Sequence, residues 1–424
     1  MRELYLAYKG FKMNKTKLAL LSFLFCYSSA FAITDPFKPF LNSIPTVIKV
    51  TSETNSGGEA GITTRKFLFS SRNKINTVYA IMSFPQKPGS YPGILVLHGG
   101  GSKAEDVAST VEKYASRGYV AMCFDMPGIC NNGTTPNSSG PWKSRPGPLE
   151  APRFDIASGL ENSTLFDAEV AGIEAFNYLS AQTNVDKKHL GIIGLSWGGY
   201  STTFLSGVLG SRVKAAYAVF GCGFYEKGSF WKKLISELPD SVRTAWLTWF
   251  DAGRRAPKIK AAYFLEAASN DNFFWPEAVQ STMNAIPGTK KNHVWDTNLN
   301  HVQQPAGPVM QQHFFDHYLK GEGEEFARAK ISERKTNPDS SIRVTVKLEI
   351  PTGVSIDSVL LYYSYTDTKW QNRKWIAITA EKAEKNKYIA LIPASIASKS
   401  IDYYAYVTDI RSVSVCSEMI FSNK

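Results

Sequence analysis

From about residue 75 to residue 320 the chain alternates short apolar runs with stretches in which apolar positions recur every three or four residues. The runs Tyr79–Phe84, Gly93–Leu97, Tyr119–Phe124, Leu190–Gly194, Val213–Phe220, Lys260–Ala267 and the short His293–Trp295 are predicted to be strands. Between them, Ala104–Arg117, Leu165–Ala181, Gly198–Leu209, Pro276–Asn284 and Val309–Leu319 read as helices; in the first, Val107, Val111 and Tyr114 share one face. Strands and helices in alternation predict a mostly parallel sheet with helices on both faces. Two stretches interrupt the pattern. Gly128–Asn162 is rich in Gly, Pro, Ser and Asn, and Gly223–Pro257 carries Phe230, Trp231, Trp246, Trp249 and Phe250. Insertions of that length in an open sheet usually wall a site.

After Gly321 the period shortens. Residues 322–341 are charged, end in NPDSS and read as a linker. Residues 342–424 hold the alternating segments IRVTVKLEI, VLLYYSY, KWIAITA, KYIALIP, DYYAYVTD and VSVCSEMIF. Such a series predicts a small β-sandwich. An added sandwich can bind a polymer or a partner, but a cap on the larger domain is the simpler expectation.

The total of 424 residues suits two domains, with residues 33–321 as the larger. The N-terminus reads differently. From Met13, Lys15 and Lys17 precede the apolar run Leu18–Phe25, and Ala30-Phe31-Ala32 offers small residues for cleavage. Residues 1–32 are therefore expected to be an upstream extension and a signal peptide starting at Met13, with a secreted or periplasmic product. No later run reaches membrane-spanning length. The formal charge of +11 falls to +7 without these residues, which carry Arg2, Lys9, Lys12, Lys15 and Lys17 against Glu3. The remaining cations are scattered and form no aromatic-interleaved stripe, which argues against nucleic acid. Cys123, Cys130, Cys222 and Cys416 show no CxxC spacing, so no zinc cluster is expected. Export permits a Cys123–Cys130 disulfide, and buried thiols are an equal alternative.

The chemistry centres on Gly194-Leu195-Ser196-Trp197-Gly198, between an apolar strand and a helix. A serine hydroxyl needs a base, a group that orients the base, and donors for the oxyanion formed on attack. A glycine-flanked serine can occupy the strained strand-to-helix turn that lifts the hydroxyl clear of the sheet. About one hundred residues earlier, His98-Gly99-Gly100-Gly101-Ser102 follows the strand GILVL, where a loop of glycines can expose backbone N–H groups. The oxyanion donors are then the N–H groups of Gly100 and Trp197. His98 precedes the serine and reads as a loop-packing residue.

The base belongs after the acid, in the order Ser, Asp, His. His189 lies before the serine, His293 sits inside a strand, and His313 and His317 lie four apart on the last helix with no third metal ligand in view. His301, in the loop NLNHVQQP, is the candidate base. For the acid, Glu266 falls within a strand and Asp271 just past its end, so Asp271 is favoured, with Asp296 as the fallback.

Taken together, HGGGS, GLSWGGY, SNDNFFW and NLNH resemble the α/β-hydrolase superfamily, in its dienelactone-hydrolase-like and acetyl-xylan-esterase-like branch, over residues 60–320. SNDNFFWPEA and YVTDIRSVSVCSE are more weakly similar to PhoPQ-activated pathogenicity-related proteins. The resemblance implies an α/β-hydrolase fold, a Ser196–Asp271–His301 triad, no cofactor, and ester or amide hydrolysis. Dienelactone hydrolases proper use a cysteine where this chain has Ser196, which points to an esterase. A small-molecule or carbohydrate ester is the expected substrate. A prolyl-oligopeptidase-like peptidase and a non-catalytic binding protein on the same fold are the rival readings.

Overall fold

The computed structural model describes residues 34–57, 61–131, 133–145, 150–366 and 368–422. The expected signal peptide at residues 1–32 lies outside them. The described residues Thr34–Lys38 fall outside the main compact unit, which spans Pro39–Lys424.

The large sheet has nine strands: β1 (Val47–Ser56), β2 (Ile62–Ser71), β3 (Asn76–Pro85), β4 (Tyr91–Leu97), β5 (Val120–Phe124), β6 (Val185–Leu195), β7 (Ala215–Val219), β8 (Ala262–Ala268) and β9 (Lys291–Asp296). Their order is β1-β2-β3-β5-β4-β6-β7-β8-β9. The first strands pair antiparallel, and every pair from β5 and β4 through β9 is parallel. In β5, β7 and β8 every residue is buried, because helices cover the sheet and leave no polar face. The helix Thr164–Ser180 packs on β4, β5 and β6 and starts at Ser163, whose Oγ accepts the Leu165 N–H at 3.2 Å.

Chain order reverses at β4, which has β5 on one side and β6 on the other. A crevice opens at the carboxyl ends of strands where an open sheet switches direction this way. Leu97 of β4 is in register with Gly194 of β6, so the loop beginning at His98 and the turn at Ser196 emerge side by side.

β1 and β2 were not evident in the hydrophobic pattern. β1 lies at the sheet edge and is exposed along nearly its whole length, so it carries no apolar alternation. The stretch expected as a linker, residues 322–341, contains a strand, β10 (Arg328–Thr336), for the same reason: it is a charged edge strand. With β11 (Ile342–Glu349), β12 (Ile356–Tyr365), β13 (Ile376–Thr379), β14 (Glu381–Glu384), β15 (Lys387–Ile392), β16 (Ile401–Asp409) and β17 (Ser414–Cys416) it builds two antiparallel sheets, β10-β11-β15-β14 and β13-β12-β16-β17. The sandwich packs directly on the larger sheet. Trp295 of β9 donates its N–H to Cys416 Sγ at 3.3 Å, and His293 Nε2 meets the Ser417 carbonyl at 3.1 Å.

Cys123, Cys130, Cys222 and Cys416 are buried free thiols, so the open Cys123–Cys130 pairing is not made. Burial raises all of them, Cys130 to about 12, which leaves them protonated and inert.

Candidate active site

Ser196 follows β6 directly and sits at φ 57°, ψ −116°, a conformation that non-glycine residues avoid. The flanking glycines make it possible. A Cβ on Gly194 would lie 2.2 Å from the Gly198 carbonyl oxygen, and one on Gly198 would lie 2.3 Å from that of Leu97. The turn is pinned by Ser196 N–H to Val219 O at 2.8 Å and by Tyr200 N–H to Ser196 O at 2.9 Å.

The structure brings the three predicted side chains together. His301 Nε2 lies 3.0 Å from Ser196 Oγ. His301 Nδ1 lies 2.9 Å from Asp271 Oδ2 and 3.1 Å from its Oδ1. Asp271 comes just past the end of β8 and is fully buried; its Oδ1 also accepts the N–H groups of Phe273 at 2.7 Å and Phe274 at 3.2 Å. Those bonds fix the carboxylate plane against the imidazole. The ring is held on its other sides by Phe220, Phe273 and Phe274, with centroids 4.8, 4.9 and 6.0 Å away.

Around the serine, a Cβ on Gly100 would meet Trp197 Cδ1 at 2.7 Å, and one on Gly99 would meet Ser196 Cβ at 3.6 Å. Gly101 N–H is committed to Ile129 O at 2.8 Å. Gly100 thus lies tight against the residue after the serine, and Gly99 is in ordinary van der Waals range of the serine itself. Trp197 N–H is the first of its helix, so the helix supplies it with no carbonyl.

His98 is the spacer of this loop. It is fully buried, accepts the Met126 N–H on Nε2 at 2.9 Å and donates from Nδ1 to the Gly99 carbonyl at 2.8 Å. Burial lowers it to about 4, so it stays neutral and holds the glycines in place.

Asp296, the fallback acid, is engaged elsewhere. It is buried beside Glu266; burial raises both carboxyls, and the Glu266 charge raises Asp296 further, so the pair holds a proton above the ordinary carboxylate range. Glu266 Oε2 accepts from Tyr217 at 2.8 Å and Gln303 at 2.7 Å. Among the described residues no cluster of His, Cys, Asp and Glu is arranged to hold a metal ion, and His317 Nδ1 meets the Gly323 carbonyl at 3.0 Å.

Of the insertion aromatics, Trp231, Trp246 and Phe250 are buried and serve as packing. Trp231 lies 4.8 Å from Trp197. Phe230 is 60 % exposed and stands between two clefts. One, of about 550 Å³, is lined by Phe230, Asn272, Phe273, Trp275, Lys369 and Trp370; the other, of about 530 Å³, by Phe230, Lys232, Arg243, Leu247 and Trp275. Leu195 and Val302, next in sequence to Ser196 and His301, are exposed at 44 % and 58 %, giving the mouth an apolar rim. The sequence pattern did not reveal Arg153. Its guanidinium is wholly buried 4.5 Å over the Trp197 ring, donates to Gly128 O at 3.0 Å, and is lowered by burial to about 10, so it remains charged. A lone arginine in an irregular stretch carries no periodic signal.

The sheet order, the crevice at the strand switch and the elbow serine define an α/β hydrolase. The dienelactone hydrolase family profile matches residues 78–297, just over half of the chain, and the chain belongs to that family. Among solved structures, the acetyl xylan esterase from Paenibacillus sp. R4 is similar with a TM-score of 0.55 and 18 % identity, over 67 % of this chain and 93 % of that one. Acetyl xylan esterase 1 from Thermoanaerobacterium sp. JW/SL YS485 gives a TM-score of 0.53 and 15 % identity, over 66 % of this chain and 92 % of that one. At those identities the likeness concerns the fold. No curated protein sequence matches the chain.

Proposed function

We propose that this hydrolase is an exported serine esterase that cleaves carboxylic esters through an acyl-enzyme. The observation that carries the reading is the hydrogen-bonded chain from Ser196 Oγ through His301 to the buried Asp271. His301 Nε2 takes the Ser196 proton as Oγ bonds to the ester carbonyl carbon. The carbonyl oxygen, now an anion, is met by N–H groups of the Gly99–Gly100 loop and of Trp197. As the tetrahedral species collapses, the C–O bond to the alcohol breaks and His301 Nε2 returns the proton to the leaving oxygen. Water then repeats the cycle, its proton passing through His301, and the acid leaves with Ser196 restored. Asp271 holds the ring with Nδ1 protonated and stabilises the imidazolium.

An ester on a carbohydrate is the substrate that fits best. Phe230 and Trp275 present partly exposed aromatic faces on which a sugar ring can stack, and Lys369 and Asn272 supply polar contacts beside them. The apolar rim at Leu195 and Val302 suits a short acyl group. The leader read at residues 13–32 would deliver the enzyme to extracellular polymer. No helix among the described residues is long and apolar enough to cross a membrane.

The test is hydrolysis of p-nitrophenyl acetate and of an acetylated xylo-oligosaccharide by the wild type and Ser196→Ala. We expect kcat to fall by roughly 10⁴-fold or more in the variant with Tm unchanged. A Ser196→Ala protein that turned over either ester at the wild-type rate would remove the mechanism.

A further inference from the structure

We propose that the Trp370–Trp375 segment of the C-terminal sandwich is a clamp that positions both the acid and the base of the active site; this rests on the esterase reading. Asp271 and His301 stand on the loops after β8 and β9, the last two strands of the large sheet. Among the described residues no further strand of that sheet lies beyond β9 to hold them. The base loop also contains two non-glycine residues in the left-handed region, Asn298 at φ 61° and His301 at φ 50°, a conformation that side chains other than Asn seldom adopt without support from their surroundings.

The sandwich supplies those contacts. Gln371 Nε2–H donates to the main-chain carbonyl of Asp271 at 3.1 Å, and Asn270 Nδ2–H donates to the Arg373 carbonyl at 2.7 Å. On the other loop, Trp375 N–H donates to Asn298 Oδ1 at 2.8 Å while Asn298 Nδ2–H donates back to the Trp375 carbonyl at 3.0 Å. The Asn298 amide thereby pairs with one residue as a neighbouring strand would. Two bonds go to the acid loop and two to the base loop, from one short segment.

That segment is itself rigid. Trp370 and Trp375 lie nearly parallel at 6.3 Å, and the Arg373 guanidinium sits 3.4 Å over Trp370 and pairs with the buried Asp402 at 2.5 Å. Trp375 packs on Tyr404 at 4.9 Å, and the Tyr404 hydroxyl meets Thr297 Oγ1 in the base loop at 2.8 Å. A domain serving only as a cap would need apolar contact alone. Directional bonds to the acid's own carbonyl and to neighbours of both residues fix the Asp271–His301 separation, where displacements of about 1 Å cost on the order of 10²-fold in rate.

The experiment compares full-length Gln371→Met, which keeps length and removes the donor, with Asn298→Asp, which removes the donor to Trp375, and with Asn372→Ala, an exposed control on the same turn. Each is assayed for kcat and KM on p-nitrophenyl acetate beside Ser196→Ala, and for amide hydrogen exchange over residues 269–274 and 297–302. We expect kcat to fall about five- to thirtyfold in the first two, as the loss of one or two hydrogen bonds predicts. KM should stay within about twofold and Tm within about 3 °C, since one half-exposed bond carries little global stability. Exchange should quicken in the loop that lost its bond. Asn372→Ala should change neither. Wild-type kcat and exchange in both clamp variants would overturn the proposal. If the wild type has no Ser196-dependent activity, the esterase reading fails, and the exchange data still decide whether the segment holds the loops.

Discussion

Asp271→Asn tests the site through a single atom. Asp271 Oδ1 already accepts two backbone N–H groups, from Phe273 at 2.7 Å and Phe274 at 3.2 Å. Those donors will select the amide oxygen of an asparagine and leave its NH₂ where Oδ2 stood, 2.9 Å from His301 Nδ1. Nδ1 must then accept, so the ring proton moves to Nε2, which faces Ser196 Oγ at 3.0 Å. A base already protonated on that side cannot take the serine proton. Escape requires turning the amide, which sets its NH₂ against two buried N–H donors, or returning the ring proton, which sets N–H against N–H. Each unpaired buried donor costs about 1–3 kcal/mol, so the two together cost about 2–6 kcal/mol. The imidazolium also loses its counter-charge. A barrier increase of about 4–6 kcal/mol corresponds to roughly 10³- to 10⁴-fold in kcat, the order that tautomer trapping produces in Ser-His-Asp hydrolases. The assay is kcat on p-nitrophenyl acetate, with Ser196→Ala as the floor and Tm as the check on folding. A folded Asp271→Asn enzyme with kcat within tenfold of the wild type would refute the assignment of acid and tautomer alike.

Other outcomes follow from the same contacts. Asp296→Asn should leave kcat within about threefold, because Asp296 pairs with Glu266 and not with His301. The native pair binds more protons than the unfolded chain above the ordinary carboxylate range, so its contribution to stability should fall as pH rises from about 4 toward 9. Asp296→Asn should flatten that fall in melts from pH 5 to pH 9; an unchanged slope would refute the shared proton. On the acid side, His98 and His293 are buried and neutral, each lowered to about 4. Their contribution is complete above about 6.5 and is lost as pH falls toward 4, by about 3 kcal/mol each. Urea unfolding of the wild type and of His293→Gln at pH 7 and pH 4.5 measures the His293 share as a difference in which the opposing carboxyl contribution cancels, and equal changes in the two proteins would contradict the burial of that ring. Gly198→Ala places a methyl 2.3 Å from the Leu97 carbonyl oxygen, a backbone atom that cannot yield. Tm should drop by at least about 5 °C with loss of activity, and a shift under 2 °C would show the elbow to be looser than drawn.

The hydrophobic pattern revealed the elements whose burial is one-sided or complete. β4, β5, β7 and β8 and the helices between them announce themselves because covered strands are apolar throughout and covering helices repeat every three to four residues. β1 and β10 did not, since an edge strand pairs through its backbone and leaves its side chains in water. The nucleophile and the base were readable for a local reason: Ser196 needs glycines within two residues, and His301 and Asp271 each follow the end of a strand. The choice of Asp271 over Asp296 followed its place past a strand end, and coordinates supplied what sequence lacked, the carboxyl that occupies Asp296.

Sequence by itself thus determined the alternating α/β domain, the elbow serine and the order of its partners, because each is written in periodicity or in a few neighbouring residues. Tertiary structure alone decided the sandwich's attachment, with Gln371 and Trp375 reaching the loops of Asp271 and His301 across about 100 and 77 intervening positions. Hydrogen bonds between segments that far apart depend on how the small sheets pack against the large one, and no local pattern along the chain encodes that packing.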